Sequence, residues 1–126
     1  MLHLADDKTQ DRIDCFLNPN FPEWEIARPE RIAQGILYLK DLKGPRATCR
    51  VNAGKCVRLS CSYQSAIWLC SDTKQVIGPE CKFIATYAQD MFQSCQVWER
   101  SSWWIGGQFF DSDGFHVIVR WDTHKC

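Results

Sequence analysis

The sequence contains no apolar run near the roughly 18–20 residues that a membrane-spanning helix needs. It also has no excess charge of either sign, because 15 lysine and arginine residues balance 15 aspartate and glutamate residues. A neutral chain provides no overall field that would attract nucleic acid or an anionic membrane. We therefore expect neither a membrane span nor a nucleic-acid partner.

Catalytic and metal-binding motifs are also scarce. The chain has no Gly-x-Ser-x-Gly, no phosphate-binding loop and no His-Glu-x-x-His. The stretch from Asp111 to Gly114 resembles the start of a calcium loop, but the later ligands are missing, so we interpret it as a hairpin turn. Asp111 and His116 could form an acid–base pair across that hairpin, although solvated strand residues are the simpler interpretation. We expect no catalytic residue, no metal and no cofactor.

Processing signals are missing as well. No Asn-x-Ser/Thr glycosylation triplet occurs, and the start, Met-Leu-His-Leu-Ala-Asp-Asp, is not the charged-then-apolar pattern of a secretory signal. If the protein is secreted, we expect this chain to be a mature form with an added methionine.

Cysteine, by contrast, is abundant: Cys15, Cys49, Cys56, Cys61, Cys70, Cys81, Cys95 and Cys126. Zinc sites usually contain cysteine pairs separated by about two to four residues. Only Cys56 and Cys61 approach that spacing, and neither a second close pair nor a histidine pair accompanies them. We therefore predict four disulfide bonds, which implies a secreted, extracellular protein.

Apolar residues at helical spacing predict two helices. The first spans about residues 29–42, begins at Pro29 and stops at Gly44-Pro45. Gly35 interrupts it, and we expect that glycine to allow close packing on a neighbour. The second helix follows Pro79 and has a cysteine at each end of its apolar stripe, so it can be linked to the sheet twice. The stripe comprises Cys81, Ile84, Ala85, Ala88, Phe92 and Cys95.

Alternating patterns predict an antiparallel meander with strands at residues 46–51, 56–62 and 66–72, and a later hairpin at 108–111 and 115–121. The nearly continuous apolar run of the third strand predicts an interior strand. These elements predict a two-layer α+β sandwich, disulfide-rich, with about five antiparallel strands and both helices on one face. We expect residues 1–24 to form an extended N-terminal arm and residues 25–126 to form one domain.

The stretch from Cys49 to Cys61 contains three of the cysteines. Cys56 and Cys61 are five residues apart on one predicted strand, so we expect them to face opposite ways, one toward the helices and one toward the outer face. Eight cysteines allow 105 connectivities. By geometry we favour a bond from Cys61 or Cys70 to Cys81 or Cys95.

Three tryptophans cluster in the segment Val-Trp-Glu-Arg-Ser-Ser-Trp-Trp, which we predict to be a loop or an irregular strand. One interpretation is that the indoles cover the open face of the sheet as a second core. The other is an interface with a partner or with a second copy of the chain, because exposed tryptophan and arginine are typical of interfaces. Our candidate contact residues are Trp98, Arg100, Trp103 and Trp104.

Three stretches, CRVNAGKCVRLSCSYQSAIWLCSD, CKFIATYAQDMFQSC and GGQFFDSDGFHVIV, resemble small secreted cysteine-rich proteins of filamentous fungi. The element order resembles the α/β-sandwich of the smut killer toxin family, killer protein four, and of related necrosis-inducing effectors. The resemblance covers about residues 25–126. It implies a secreted fungal protein that acts on another organism, as a toxin or as a virulence effector or elicitor of plant defence.

We therefore expect a non-catalytic effector or elicitor that binds a host or competitor protein or cell surface. A first alternative is a killer-toxin-like channel blocker that would act through surface lysines such as Lys74 or Lys82, although the chain has no obvious basic loop. A second alternative is a small secreted hydrolase or inhibitor that would depend on Asp111 and His116.

Overall fold

A computed structural model gives the fold and describes residues 10–15 and 26–126. Within these ranges the chain forms, in order, β1 (Gln10–Cys15), α1 (Pro29–Asp41), a short 3-10 helix (Gly44–Ala47), β2 (Cys56–Ser62), β3 (Ser65–Ser71), α2 (Cys81–Ser94), β4 (Gln96–Glu99), β5 (Ser102–Ile105), β6 (Gly107–Asp111) and β7 (Phe115–Trp121). The predicted α+β class is confirmed.

Five of the described strands form the main sheet, in the order β1-β6-β7-β3-β2, and every neighbouring pair is antiparallel. Helix α1 packs on β2 and β3, while α2 packs on β6 and β7. The core between the helices and the sheet includes Ile32, Leu39, Ile67, Leu69, Ile84, Met91, Phe109, Val117 and Val119. Strand β3 lies inside the sheet, as its apolar sequence predicts, and only Trp68 in it is partly exposed.

Helix α1 begins with Pro29 in its first turn and buries Ile32, Ile36 and Leu39 against the sheet. Gly35 is buried where the helix comes closest to β2. A Cβ atom added to Gly35 would overlap Ser60 Oγ and would lie 3.1 Å from the Ile67 side chain. The close packing predicted at this glycine is therefore confirmed.

Helix α2 buries the predicted stripe except Phe92, which is half-buried, and adds Tyr87 and Met91 to it. The fully buried ring of Tyr87 contacts Phe83, Phe109 and Phe115 edge-on. Its hydroxyl donates a 2.6 Å hydrogen bond to Asp111. Burial, followed by this hydrogen bond to a carboxylate, raises the pKa of Tyr87 above its ordinary value. Tyr87 therefore occupies the centre of the α2 side of the core.

The prediction of a strand at residues 46–51 is wrong. The stretch begins with the end of the 3-10 helix and then pairs, through isolated bridges, with the segment before α2 rather than with β2. Cys49 N–H donates to Pro79 O at 2.8 Å, and Val51 exchanges two hydrogen bonds with Ile77. Cys49 and Val51 are buried and their neighbours are exposed, so the alternation in the sequence reflects burial without membership of the sheet.

The fifth strand of the main sheet is instead β1, which lies beside β6 at the edge opposite β2. These residues belong to the segment that the sequence predicts to be an extended arm. The predicted boundary between residues 24 and 25 lies outside the described residues.

The prediction that Cys56 and Cys61 face opposite ways is wrong, because β2 contains a bulge. Its register shifts between Arg58 and Ser60, which leaves Leu59 without a partner of its own. Cys56 lies opposite Cys70 and Cys61 lies opposite Ala66. Since residues 66 and 70 of β3 share one face, both cysteines of β2 lie on the face opposite the helices.

All eight cysteines are paired, as predicted, in the bonds Cys15–Cys95, Cys49–Cys81, Cys56–Cys70 and Cys61–Cys126. The favoured link from Cys61 or Cys70 to α2 is wrong, because both residues lie on the other side of the sheet. Helix α2 is nevertheless fixed at both ends, by Cys81 to the segment that contains Cys49 and by Cys95 to β1.

Candidate interaction surface

Strands β4 and β5 form a separate two-stranded sheet, the tryptophan hairpin (residues 96–105), where the sequence predicts a loop or irregular strand. Its turn consists of Arg100 and Ser101, whose φ angles are 51° and 62°. Two successive residues of positive φ are typical of the tight turn whose twist matches that of a hairpin. The usual Asn-Gly signal is missing here, so the turn is not evident from the sequence.

Trp98 and Trp103 face each other across the hairpin. Their rings lie 5.5 Å apart at an interplanar angle of 67°, an edge-to-face pair. Trp98 is 57% exposed and Trp103 is 52% exposed. The interpretation of these two indoles as a second core therefore does not hold.

Trp104 points to the other face of the hairpin, beside Val97, and is half-buried. The guanidinium of Arg28 lies 4.7 Å from the centre of its ring, within the range of a cation–π interaction. The indole N–H donates to Glu99 O at 3.1 Å. Of the four predicted contact residues, Trp98, Arg100 and Trp103 are exposed, whereas Trp104 helps to hold the hairpin against the start of α1.

Backbone bonds join this hairpin to the body of the protein. Ala27 and Ile105 exchange two hydrogen bonds, of 2.6 and 2.9 Å. At the opposite strand of the hairpin, Cys95 immediately precedes β4 and is bonded to Cys15. The base of the hairpin is therefore fixed on both sides, while its tip extends into solvent.

The start of α1 continues this surface toward the turn between β2 and β3. Arg31 stacks 3.7 Å from the ring centre of Tyr63, which is 73% exposed. Tyr63 and Gln64 form a second turn with two positive φ angles, 48° and 64°. The sequence-based reasoning missed Arg28, Arg31 and Tyr63. The available signal for Tyr63 was an aromatic residue in the three-residue gap between two predicted strands.

The open face of the main sheet carries a different cluster. Arg12, Phe110 and His116 stack across three strands, at 4.2 Å from Arg12 to the Phe110 ring and 4.6 Å between the two rings. His116 Nδ1 lies 2.8 Å from a carboxylate oxygen of Asp72. Asp111 is buried on the helix side of the sheet and accepts a bond from Tyr87. It therefore neither forms the alternative acid–base pair with His116 nor lies in solvent, as the simpler interpretation expects.

Both lysines of the channel-blocker alternative lie on the surface. Lys82 is exposed, 3.7 Å from Glu80, and Lys74 is exposed in the loop after β3. Among the described residues, no group of three or more His, Cys, Asp and Glu side chains is arranged to hold a metal ion.

Comparison of the chain with models of known protein families, with characterised proteins and with solved structures gave no match. In the described part of the chain, no helix has the length and apolar character needed to cross a membrane. Four disulfides in so small a domain are typical of extracellular proteins.

Proposed function

We propose that the chain is a secreted binding protein without catalytic turnover, which contacts its target through the tip of the tryptophan hairpin. The observation that carries this proposal is the exposed pair of Trp98 and Trp103. Tryptophan dominates the energy of many protein interfaces, because burying a large ring removes much apolar area from water. Arg100, at the tip between the two indoles, adds a cation of the kind that such interfaces favour.

Rigidity of the hairpin supports the same proposal. The disulfide of Cys95 and the two bonds between Ala27 and Ile105 hold its base. A two-residue turn closes its tip, and the indoles pack on each other. A surface that is already ordered loses little conformational entropy when it binds, so more of the contact energy remains as affinity.

The resemblance to secreted fungal proteins supplies the class of target in this proposal: a protein or cell surface of a plant host or of a competing organism. On this proposal the protein acts as an effector or elicitor, and the response follows from binding alone. Secretion is supported by the four disulfides, since such bonds persist in oxidising compartments.

Infiltration of the purified protein into plant leaf tests the proposal. The oxidised protein should provoke a tissue response, and a reduced and alkylated sample should not. Trp98→Ala/Trp103→Ala should lose the response while its ¹⁵N–¹H NMR spectrum outside residues 96–105 stays that of the parent protein.

The matched control for this test is Leu37→Ala, which removes a side chain that is 63% exposed on α1. It should retain the full response. A folded double variant that still provokes the response would exclude the hairpin as the contact surface. No response to the oxidised parent protein in any tissue tested would exclude the effector function.

A further inference from the structure

A second feature lies away from the tryptophan hairpin: a cavity of about 440 Å³ between α1 and the outer edge of the main sheet. We call it the edge cavity. The described residues that line it are Gln34, Gly35 and Tyr38 of α1, Arg58, Leu59, Ser60, Cys61 and Ser62 of β2, and Cys126. Its volume is within the range of ligand-binding sites.

The hydrogen bonds on the helix side of the edge cavity determine what it can offer a ligand. Gln34 Oε1 accepts bonds from Ser62 Oγ at 2.7 Å and from Arg31 at 3.4 Å, so the amide N–H groups of Gln34 remain as donors. The hydroxyl oxygen of Tyr38 accepts a 3.4 Å bond from Arg46, which leaves the O–H of Tyr38 to donate. Both side chains therefore present donors.

Three arginines lie at or beside the edge cavity. Arg31 and Arg46 bond to its lining residues, and neither has a carboxylate within ion-pair distance among the described residues. Arg58 lines the cavity itself and is paired with Asp122 at 2.7 Å. Two arginines thus remain uncompensated beside a set of hydrogen-bond donors. Such a site favours an anionic group that is rich in acceptors.

The position of the edge cavity beside an edge strand indicates what kind of molecule would carry the anionic group. Strand β2 is an edge of the main sheet, and an edge strand has unpaired backbone N–H and C=O groups. An extended peptide can add to such an edge through its backbone while an alternate side chain enters a neighbouring pocket.

We propose that the edge cavity binds an extended peptide whose acidic side chain accepts hydrogen bonds from Gln34 and Tyr38. The peptide backbone pairs with β2 along the edge that no described strand occupies, and Arg31 and Arg46 provide the favourable field. This site is separate from the tryptophan hairpin and extends the proposed function by a second type of contact.

An NMR titration of the ¹⁵N-labelled protein tests this site. The probes are two capped hexapeptides, (Val-Glu)₃ and (Val-Gln)₃, which differ only in charge. The glutamate peptide should shift the amide signals of residues 34–38 and 58–62, and the glutamine peptide should bind at least about tenfold more weakly. Equal binding of the two peptides, or shifts confined to other residues, would overturn the proposal.

Variants on the exposed side of α1 separate binding from folding. Gln34→Leu/Tyr38→Phe removes both hydrogen-bond donors and should weaken binding of the glutamate peptide by about tenfold or more. Leu37→Ala, an exposed and uncharged change on the same helix outside the cavity, should leave binding unchanged. Equal affinity of the donor variant and the parent protein would contradict the proposal.

Two further measurements complete the test. The first asks whether a peptide or a carbohydrate supplies the carboxylate, and the second asks whether the edge cavity is independent of the tryptophan hairpin. A trimeric uronic acid should not shift the cavity signals; if it does and the glutamate peptide does not, an acidic carbohydrate replaces the peptide as ligand. Trp98→Ala/Trp103→Ala should bind the glutamate peptide as the parent protein does. Loss of that binding in the folded variant would show that the two surfaces are one site, against the proposal.

Discussion

Two aromatic clusters in this protein have similar ring geometry but opposite surroundings. Tyr87 and Phe109 meet at 4.7 Å and 64°, while Trp98 and Trp103 meet at 5.5 Å and 67°. Tyr87 and Phe109 are fully buried, whereas both tryptophans are more than half exposed. The contacts between the rings therefore do not separate a core cluster from a surface cluster. The supporting elements do, because Tyr87 lies between α2 and the sheet and the tryptophans lie on a hairpin outside it.

The largest loss of stability is expected on removal of the Cys15–Cys95 disulfide, which links the base of the tryptophan hairpin to β1. It closes a sequence separation of 80 residues, against 14 for Cys56–Cys70. If loop closure dominates, replacing both cysteines by serine should cost about 4.5 kcal/mol for the longer loop and about 3 kcal/mol for the shorter loop. Urea denaturation of the two double variants gives both values. A larger loss for Cys56–Cys70 would show that local packing outweighs loop length.

Tyr87→Ala tests the buried cluster. Loss of a fully buried ring that contacts three phenylalanines should lower the free energy of unfolding by about 3–5 kcal/mol. Tyr87→Phe keeps the ring but removes the hydrogen bond to Asp111, so it should cost less, about 1–3 kcal/mol. Thermal and urea unfolding of both variants measure the difference. Equal losses would place the stabilisation in the hydroxyl group rather than in the ring.

The sequence predicts the buried region better than the exposed one, because helical periodicity is local. The stripe from Cys81 to Cys95 repeats at the spacing of a helix, and α2 follows almost residue for residue. Strand β1 could not be assigned in this way. Its partner β6 lies more than 90 residues along the chain, and no local pattern specifies a pairing over that distance.

The two candidate surfaces are formed by a bulge and a turn that the sequence indicates only weakly. The bulge at Leu59 contains neither glycine nor proline, yet it turns Cys61 to the face opposite the helices. The turn at Arg100 and Ser101 uses residues that rarely adopt positive φ, so the hairpin was expected to be irregular. The sequence predicts Trp98, Arg100, Trp103 and Trp104 as contact residues, but it does not reveal which of the three indoles are exposed.

The buried carboxylate of Asp122 accepts hydrogen bonds from Arg58 and from the backbone N–H of His124, and acid should weaken both bonds. Burial raises the pKa of Asp122, but hydrogen bonds from the His124 backbone, from Arg58 and from the His124 side chain outweigh it and lower the pKa below its ordinary value. The folded state therefore binds fewer protons than the unfolded state. Stability from Asp122 is present above about pH 3.9 and is lost as the pH falls through the lower pKa of the folded protein.

Asp122→Asn should therefore differ most from the parent protein near neutral pH and converge with it in acid. Urea midpoints for both proteins between about pH 2 and about pH 7 provide the measurement. A constant difference across the acid range would contradict the role of the carboxylate charge.

The smallest loss of stability is expected on replacement of the exposed tryptophans, Trp98 and Trp103. Trp98→Ala and Trp103→Ala should each lower the free energy of unfolding by about 0.5–1 kcal/mol, since little area is buried and the edge-to-face contact is the main loss. The double variant should cost about as much as either single variant, because one replacement already removes the shared contact. Urea denaturation followed by far-ultraviolet circular dichroism avoids the change in tryptophan fluorescence. A loss near that of Tyr87→Ala would mean that the indoles stabilise the fold, and their exposure could then no longer support a contact surface.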